Sequence, residues 1–115
     1  MKIAAYGTLR VGWYNNQRFD LKYVSTERIK GYKLYDLGPY PAVIKEEDSF
    51  IEVDILETDD ETKNRIDRME AGAAYQKEDI DIDGMQCTIY YFTEETLEYY
   101  KAAKEIPSGN YNELQ

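Results

Sequence analysis

The stretch YQKEDIDIDGMQCTIYYF, residues 75–92, constrains the fold more than any other part of the chain. Polar and apolar side chains alternate on both sides of Asp83-Gly84, and that pair accepts the positive φ angles of a two-residue type I′ turn. Successive side chains point to opposite faces of a strand, so the alternation predicts two antiparallel strands with one buried face each. The same stretch contains DIDIDG, which matches the opening of a calcium-binding loop. The match then fails, because the last loop position is Tyr90 where a bidentate Glu is required, and Ile80 and Ile82 suit a strand with its acids in water.

A lone hairpin is marginal in water and needs further strands. IAAYGTLR, residues 3–10, reads as an apolar strand that stops at Gly7 with no proline or Asn-Gly turn behind it. Such a stop leaves main-chain N–H groups unpaired, and donors held in a concave turn suit a carboxylate or phosphate. The bare pattern also fits an ordinary turn, since neither a Gly-Lys-Ser/Thr phosphate loop nor a dinucleotide fingerprint follows Gly7. YVSTERIKGYKLYDLG, residues 23–38, predicts one or two strands closed by a Gly-Pro turn, and PAVIKEED predicts a short strand running into an acidic loop. In FIEVDIL, residues 50–56, Ile51, Val53 and Ile55 face inward and Glu52 and Asp54 outward.

Thr58, with Glu61 three positions later, has the signature of a helix cap. The helix is expected to run to about Glu70, with Ile66 and Met69 on one face and Gly72 ending it in a left-handed conformation. TEETLEYYKAAKE, residues 93–105, predicts a second helix, broken by Pro107 and Gly109, and the tail NYNELQ is expected to be partly ordered through Tyr111. The length of 115 residues suits one domain spanning 1–115, without repeats or linkers.

Composition narrows the chemistry. A net charge of -9 repels nucleic acid and anionic membranes. No run is long and apolar enough to span a bilayer or to act as a signal peptide, and the one cysteine, Cys87, forms no internal disulfide, so a cytoplasmic location is expected. Without histidine the chain can build neither Ser-His-Asp nor Cys-His nucleophiles nor a His-ligated zinc site. A general base must therefore be a carboxylate, a lysine or a tyrosine. The 12 tyrosines suit a half-polar pocket, a core, or, around Tyr90, Tyr91, Tyr99 and Tyr100, a protein interface.

Glu70 is the carboxylate to examine first. At the negative end of a helix dipole, near tyrosines that exclude water, its pKa should rise toward the range useful for proton transfer. Taken alone, the position also fits an exposed terminal Glu paired with Lys or Arg.

Together, YGTLR after the first strand, GYKLYDLGPYPAV in mid-chain and IDRMEAGAAYQKEDI resemble, in order and spacing, the γ-glutamylcyclotransferase-like family, γ-glutamylamine cyclotransferase type, over about residues 1–92. The resemblance implies an α+β fold, a small mixed β-barrel with short helices. It implies a small-molecule substrate with a free α-amino acid end, cleaved by internal attack of its α-amine with release of 5-oxoproline, and no metal or other cofactor. Tyr6, Gly7, Thr8 and Leu9 would form the binding loop, Glu70 would be the catalytic carboxylate, and Tyr40 and Tyr75 would line the pocket. Two positions depart from the family pattern: SFIEVDIL lacks its strand glycine, which is expected to alter how closely the barrel closes, and Lys77 stands where the family often has a two-pronged Arg. A protein of the same fold that captures an anionic metabolite without turning it over is the alternative. The oligomeric state is left open.

Overall fold

The computed structural model describes residues 1–115. Six strands form one mixed sheet: β1 (Lys2–Ala5), β2 (Lys22–Asp36), β3 (Pro41–Glu57), β4 (Gln76–Ile82), β5 (Met85–Tyr91) and β6 (Lys104–Glu105). Their order is β4-β5-β1-β3-β2-β6, with β1 parallel to β5 and every other pair antiparallel. The sheet curls into a half-barrel with β4 and β6 as free edges. Across the curl, Tyr32 of β2 and Lys45 of β3 reach Glu78 of β4, at 2.6 and 2.8 Å.

The hairpin β4–β5 turns at Asp83 and Gly84, whose φ angles are 50° and 83°. Ile82 is buried and Ile80 packs against the core, while Asp79, Asp81 and Asp83 are exposed, so DIDIDG is a hairpin strand.

Residues 23–36 lie in one long strand, with Leu37 and Gly38 in the turn that follows, and the anticipated acidic loop of residues 45–48 is continuous with β3. A register shift between Lys30 and Gly31 leaves residues 47–49 without partners in β2, and Gly31 takes φ 106° there. The acidic run marks exposure rather than a break in the chain, because a bulge absorbs the extra residues without ending the ladder. In FIEVDIL, Ile51, Val53 and Ile55 are wholly buried as expected, but Asp54 is only 3% exposed. It is drawn inward by Arg10, at 3.1 Å, from the loop after β1.

Helix α1 (Asp60–Gly72) starts one residue later than the capping pattern indicates. Asp59 caps it by accepting from the Thr62 N–H at 2.7 Å, while the Thr58 hydroxyl donates to the Asp20 carbonyl at 2.7 Å. At the other end Gly72 stays helical, and Ala74, φ 72°, takes the left-handed conformation. Ile66 packs against Ile3, Ala5 and Leu56. The last turn of α1 lies beside the loop that leaves β1, since Met69, Glu70 and Ala73 share a cavity wall with Tyr6–Leu9.

The second helix is much shorter than expected: α2 covers only Glu94–Glu98. Lys104 and Glu105 pair with β2, and the Ile106 N–H donates to the Leu34 carbonyl at 2.8 Å, so sheet pairing overrides helix propensity in this segment. Tyr111 is 3% exposed and anchors the tail as anticipated.

The glycine missing from SFIEVDIL has a counterpart across the gap. A Cβ on Gly109 would lie 2.1 Å from the Phe50 carbonyl oxygen and 2.8 Å from the Ile51 Cα, and Gly109 has φ 72°. Close approach to this strand therefore depends on a glycine of the opposing segment. Gly109→Ala should destabilise the protein by about 2–3 kcal/mol, from overpacking plus a left-handed backbone. Urea unfolding of the purified variant measures this, and a midpoint equal to wild type would contradict the close contact.

Candidate functional site

A cavity of about 180 Å³ lies between the end of β1, the last turn of α1 and the start of β3. Tyr6, Gly7, Thr8, Leu9, Tyr40, Glu70 and Tyr75 all line it, so the residues singled out from the sequence converge on one space. Most of the wall is apolar, and no lysine or arginine contributes to it.

The loop supplies the polar part of the wall. The main-chain N–H groups of Tyr6, Gly7, Thr8 and Leu9 have no acceptor within the protein, whereas the next ones are satisfied: Arg10 N–H donates to the Gly7 carbonyl and Val11 N–H to Asp54 Oδ2. Asn15 Nδ2 donates to Thr8 Oγ1 and Asn16 Nδ2 to the Leu9 carbonyl, both at 2.9 Å. Gly7 is required for a different reason from the turn chemistry that the sequence suggests. Its φ is not positive, but a Cβ there would sit 2.3 Å from the Pro41 Cγ. The loop passes so close to β3 that no side chain fits.

Glu70 is the one carboxylate on the cavity wall. Burial pushes its pKa up to about 7, and the nearby negative charge of Asp67 adds to the rise. Asp67 itself is held below the usual range: burial opposes this, but hydrogen bonds from Lys63, Tyr90 and Lys77 outweigh it. Asp67 lies three residues before Glu70 on the same helix, a spacing that puts the two on one face and could have been read from the sequence. Lys77 donates to Asp67 Oδ2 at 3.0 Å and is not part of the cavity wall. The Arg-to-Lys departure thus falls outside the pocket.

The tyrosines form walls rather than bases. The Tyr6 hydroxyl donates to the Tyr90 carbonyl at 2.6 Å, and the Tyr75 hydroxyl donates to the Pro41 carbonyl. Burial raises the pKa of Tyr6, Tyr75 and Tyr90 well above the ordinary phenol value, so all three stay protonated near neutrality. Tyr40 is half-buried, its ring 6.3 Å from that of Tyr75 and its hydroxyl 3.3 Å from that of Tyr100. Tyr91 and Tyr100 also pack on core clusters, Tyr90 is buried, and only Tyr99 of the four suggested for an interface is fully exposed. Asn15, Met69, Ala73 and Tyr90 also line the wall, and no local sequence pattern distinguishes Asn15, which reaches the site only because the loop folds back on itself.

The half-barrel and the wall it shares between a glycine loop and a helix-end carboxylate define a recognisable class. Residues 3–113 match the family described as gamma-glutamyl cyclotransferase, AIG2-like, and the chain belongs to that family. PH0828 of Pyrococcus horikoshii is 28% identical over 120 residues, covering 100% of this chain and 94% of that protein. Its crystal structure superposes with a TM-score of 0.79 at 26% identity, over 99% of this chain and 92% of that one. Escherichia coli c4763 (TM-score 0.78, 20% identity, 98% and 93% covered) and ytfP (TM-score 0.74, 22% identity, 96% and 96% covered) share the fold. No helix of the chain is long and apolar enough to cross a membrane.

Glu70 has a consequence for stability. Its carboxyl ionises near 4.5 when unfolded and near 7 when folded, so between these values the native state holds the extra proton. Stability must then fall as pH rises through this window and level off above it. The chain has no histidine to mask the effect. Urea unfolding between pH 5.5 and 8 should show wild type losing stability with rising pH and Glu70→Gln losing much less. Parallel curves for the two proteins would mean that Glu70 is solvated as an ordinary carboxylate.

Proposed function

We propose that this protein is a cyclotransferase of the cytoplasm, a single domain over residues 1–115, that cleaves a γ-glutamyl amine or γ-glutamyl amino acid and releases 5-oxoproline. The observation that carries this reading is the pairing, on one cavity wall, of a single carboxylate of raised pKa with unpartnered main-chain donors. With no cationic side chain on the wall, the donors of Tyr6–Leu9 are the groups suited to the substrate's α-carboxylate.

The reaction asks little of the protein, because the substrate carries its own nucleophile. Glu70 takes a proton from the α-ammonium, and the freed amine attacks the γ-carbonyl carbon to close a five-membered ring. The attacking nitrogen loses its second proton as the ring closes. The C–N bond to the leaving amine breaks as Glu70 returns its proton to the leaving nitrogen, and the second proton goes to the same nitrogen, so the amine departs as its ammonium form. The carboxylate ends as it began, and the products are 5-oxoproline and the protonated amine. A pKa near 7 lets one group serve in both transfers. The walls of Tyr40 and Tyr75 favour the folded substrate conformation in which amine and carbonyl are close.

Purified protein supplied with a panel of γ-glutamyl amides should form 5-oxoproline, and Glu70→Gln should lower kcat/KM by about a hundredfold or more. For wild type, kcat/KM should rise with pH to a plateau, with a midpoint near 7 as Glu70 ionises. Turnover equal in wild type and Glu70→Gln would refute the assignment of the base. Tight calorimetric binding of 5-oxoproline without any turnover would instead support capture of an anionic metabolite.

A further inference from the structure

Unpartnered N–H groups hold an anion well only if the loop that carries them is already shaped, because ordering a loop at the moment of binding costs affinity. Within the loop, Asn15 and Asn16 tie back to Thr8 and Leu9. The long-range fastenings of residues 10–13 come from β3 and from the last residues of the chain. Arg10 Nη1 donates to Asn110 Oδ1 at 3.0 Å, Trp13 Nε1 to Asn112 Oδ1 at 2.7 Å, and Gln115 Nε2 to the Gly12 carbonyl at 3.0 Å. The Trp13 ring also lies 4.5 Å from that of Tyr111.

The tail is itself well anchored. Tyr111 belongs to the main core cluster, and Asn110 Oδ1, which receives Arg10, also accepts the Asn112 N–H at 3.0 Å. Upstream, the Glu52 N–H donates to the Gly109 carbonyl at 2.9 Å. The chain's end is thus fixed to the sheet on one side and to the outer surface of the loop on the other. Trp13, Asn112 and Gln115 do not line the cavity, so their bonds act on a ligand only through the loop.

We propose that the C-terminal segment Asn110–Gln115 is a strap that holds the anion-binding loop in its ligand-ready shape, with Trp13 and Asn112 as positioning residues. The kinetic consequence rests on the cyclotransferase reading above, whereas the ordering of the loop does not. Trp13→Phe keeps an aromatic ring against Tyr111 and removes the donor, and Asn112→Ala removes the acceptor of the same bond.

Each variant should raise KM for a γ-glutamyl amide about tenfold, leave kcat within about twofold and leave the pH midpoint in place, since Glu70 is untouched. The double variant should be no worse than either single one, because both substitutions delete one shared bond. In ¹⁵N relaxation measurements on the unliganded full chain, order parameters for Gly7–Gly12 should fall from about 0.85 to below about 0.6. A purely structural role would lower Tm yet leave KM and the loop order parameters at wild-type values well below Tm, and that result overturns the strap. If wild type turns over no γ-glutamyl amide, the cyclotransferase reading fails by itself. The order parameters then decide the strap alone, a fall upholding it and unchanged values overturning it.

Discussion

Arg10 is 2% exposed, between Glu52 and Asp54 of β3 and Asn110 of the C-terminal segment. Burial by itself would favour losing its proton, but hydrogen bonds from the guanidinium to Asp54 and Glu52 outweigh this and hold it charged. Removing one partner from such a cluster costs about 3–5 kcal/mol, because the remaining charge stays buried. Asp54 also accepts the Val11 N–H at 3.0 Å and the Thr26 hydroxyl at 2.8 Å, so one carboxylate fixes the loop after β1 and touches β2 as well. The loop is held from behind, and its front is left free to offer N–H groups to a ligand.

A second consequence follows from where α1 packs. Ile66 joins Ile3, Ala5 and Leu56 in one buried cluster, and the last turn of the helix presents Glu70 to the same space that the loop lines. Apolar and aromatic walls withdraw water from that carboxyl, while Asp67 nearby keeps its negative charge through Lys63, Lys77 and Tyr90. Two acids on one helix are pushed in opposite directions by their surroundings: one surrounded by donors, the other facing a mostly apolar cavity. Tyr90 links the two halves, since its hydroxyl donates to Asp67 and its carbonyl receives Tyr6.

Local patterns identified the elements whose signals are short-range. The Asp83-Gly84 turn and the inward faces of Ile51, Val53 and Ile55 stand where the alternation puts them, and the helix carrying Ile66 and Glu70 starts one residue after the position that the capping pattern indicates. Where the structure departs from these patterns, the cause is a contact with a distant segment. The alternation puts Asp54 in water, yet it is buried because Arg10, distant in sequence, draws it in; the pattern of residues 99–105 suits a helix, yet the segment turns back so that Lys104 and Glu105 pair with β2. At Gly7 and Gly109 the reason for glycine is a neighbour across the fold, Pro41 in one case and the Phe50–Ile51 backbone in the other.

The amino-acid sequence alone determined the periodicity of the strands, the absence of histidine chemistry and the family pattern that points to residues 6–9, 40, 70 and 75. These properties depend on residue type and on spacing over a few positions, which a linear string preserves. Only the tertiary structure decided that these residues share one cavity, that Lys77 serves Asp67 outside it, and that the chain's last residues clasp the loop near its first. Burial and ion pairing depend on distances between segments far apart in the chain, and those distances exist only once the sheet has curled.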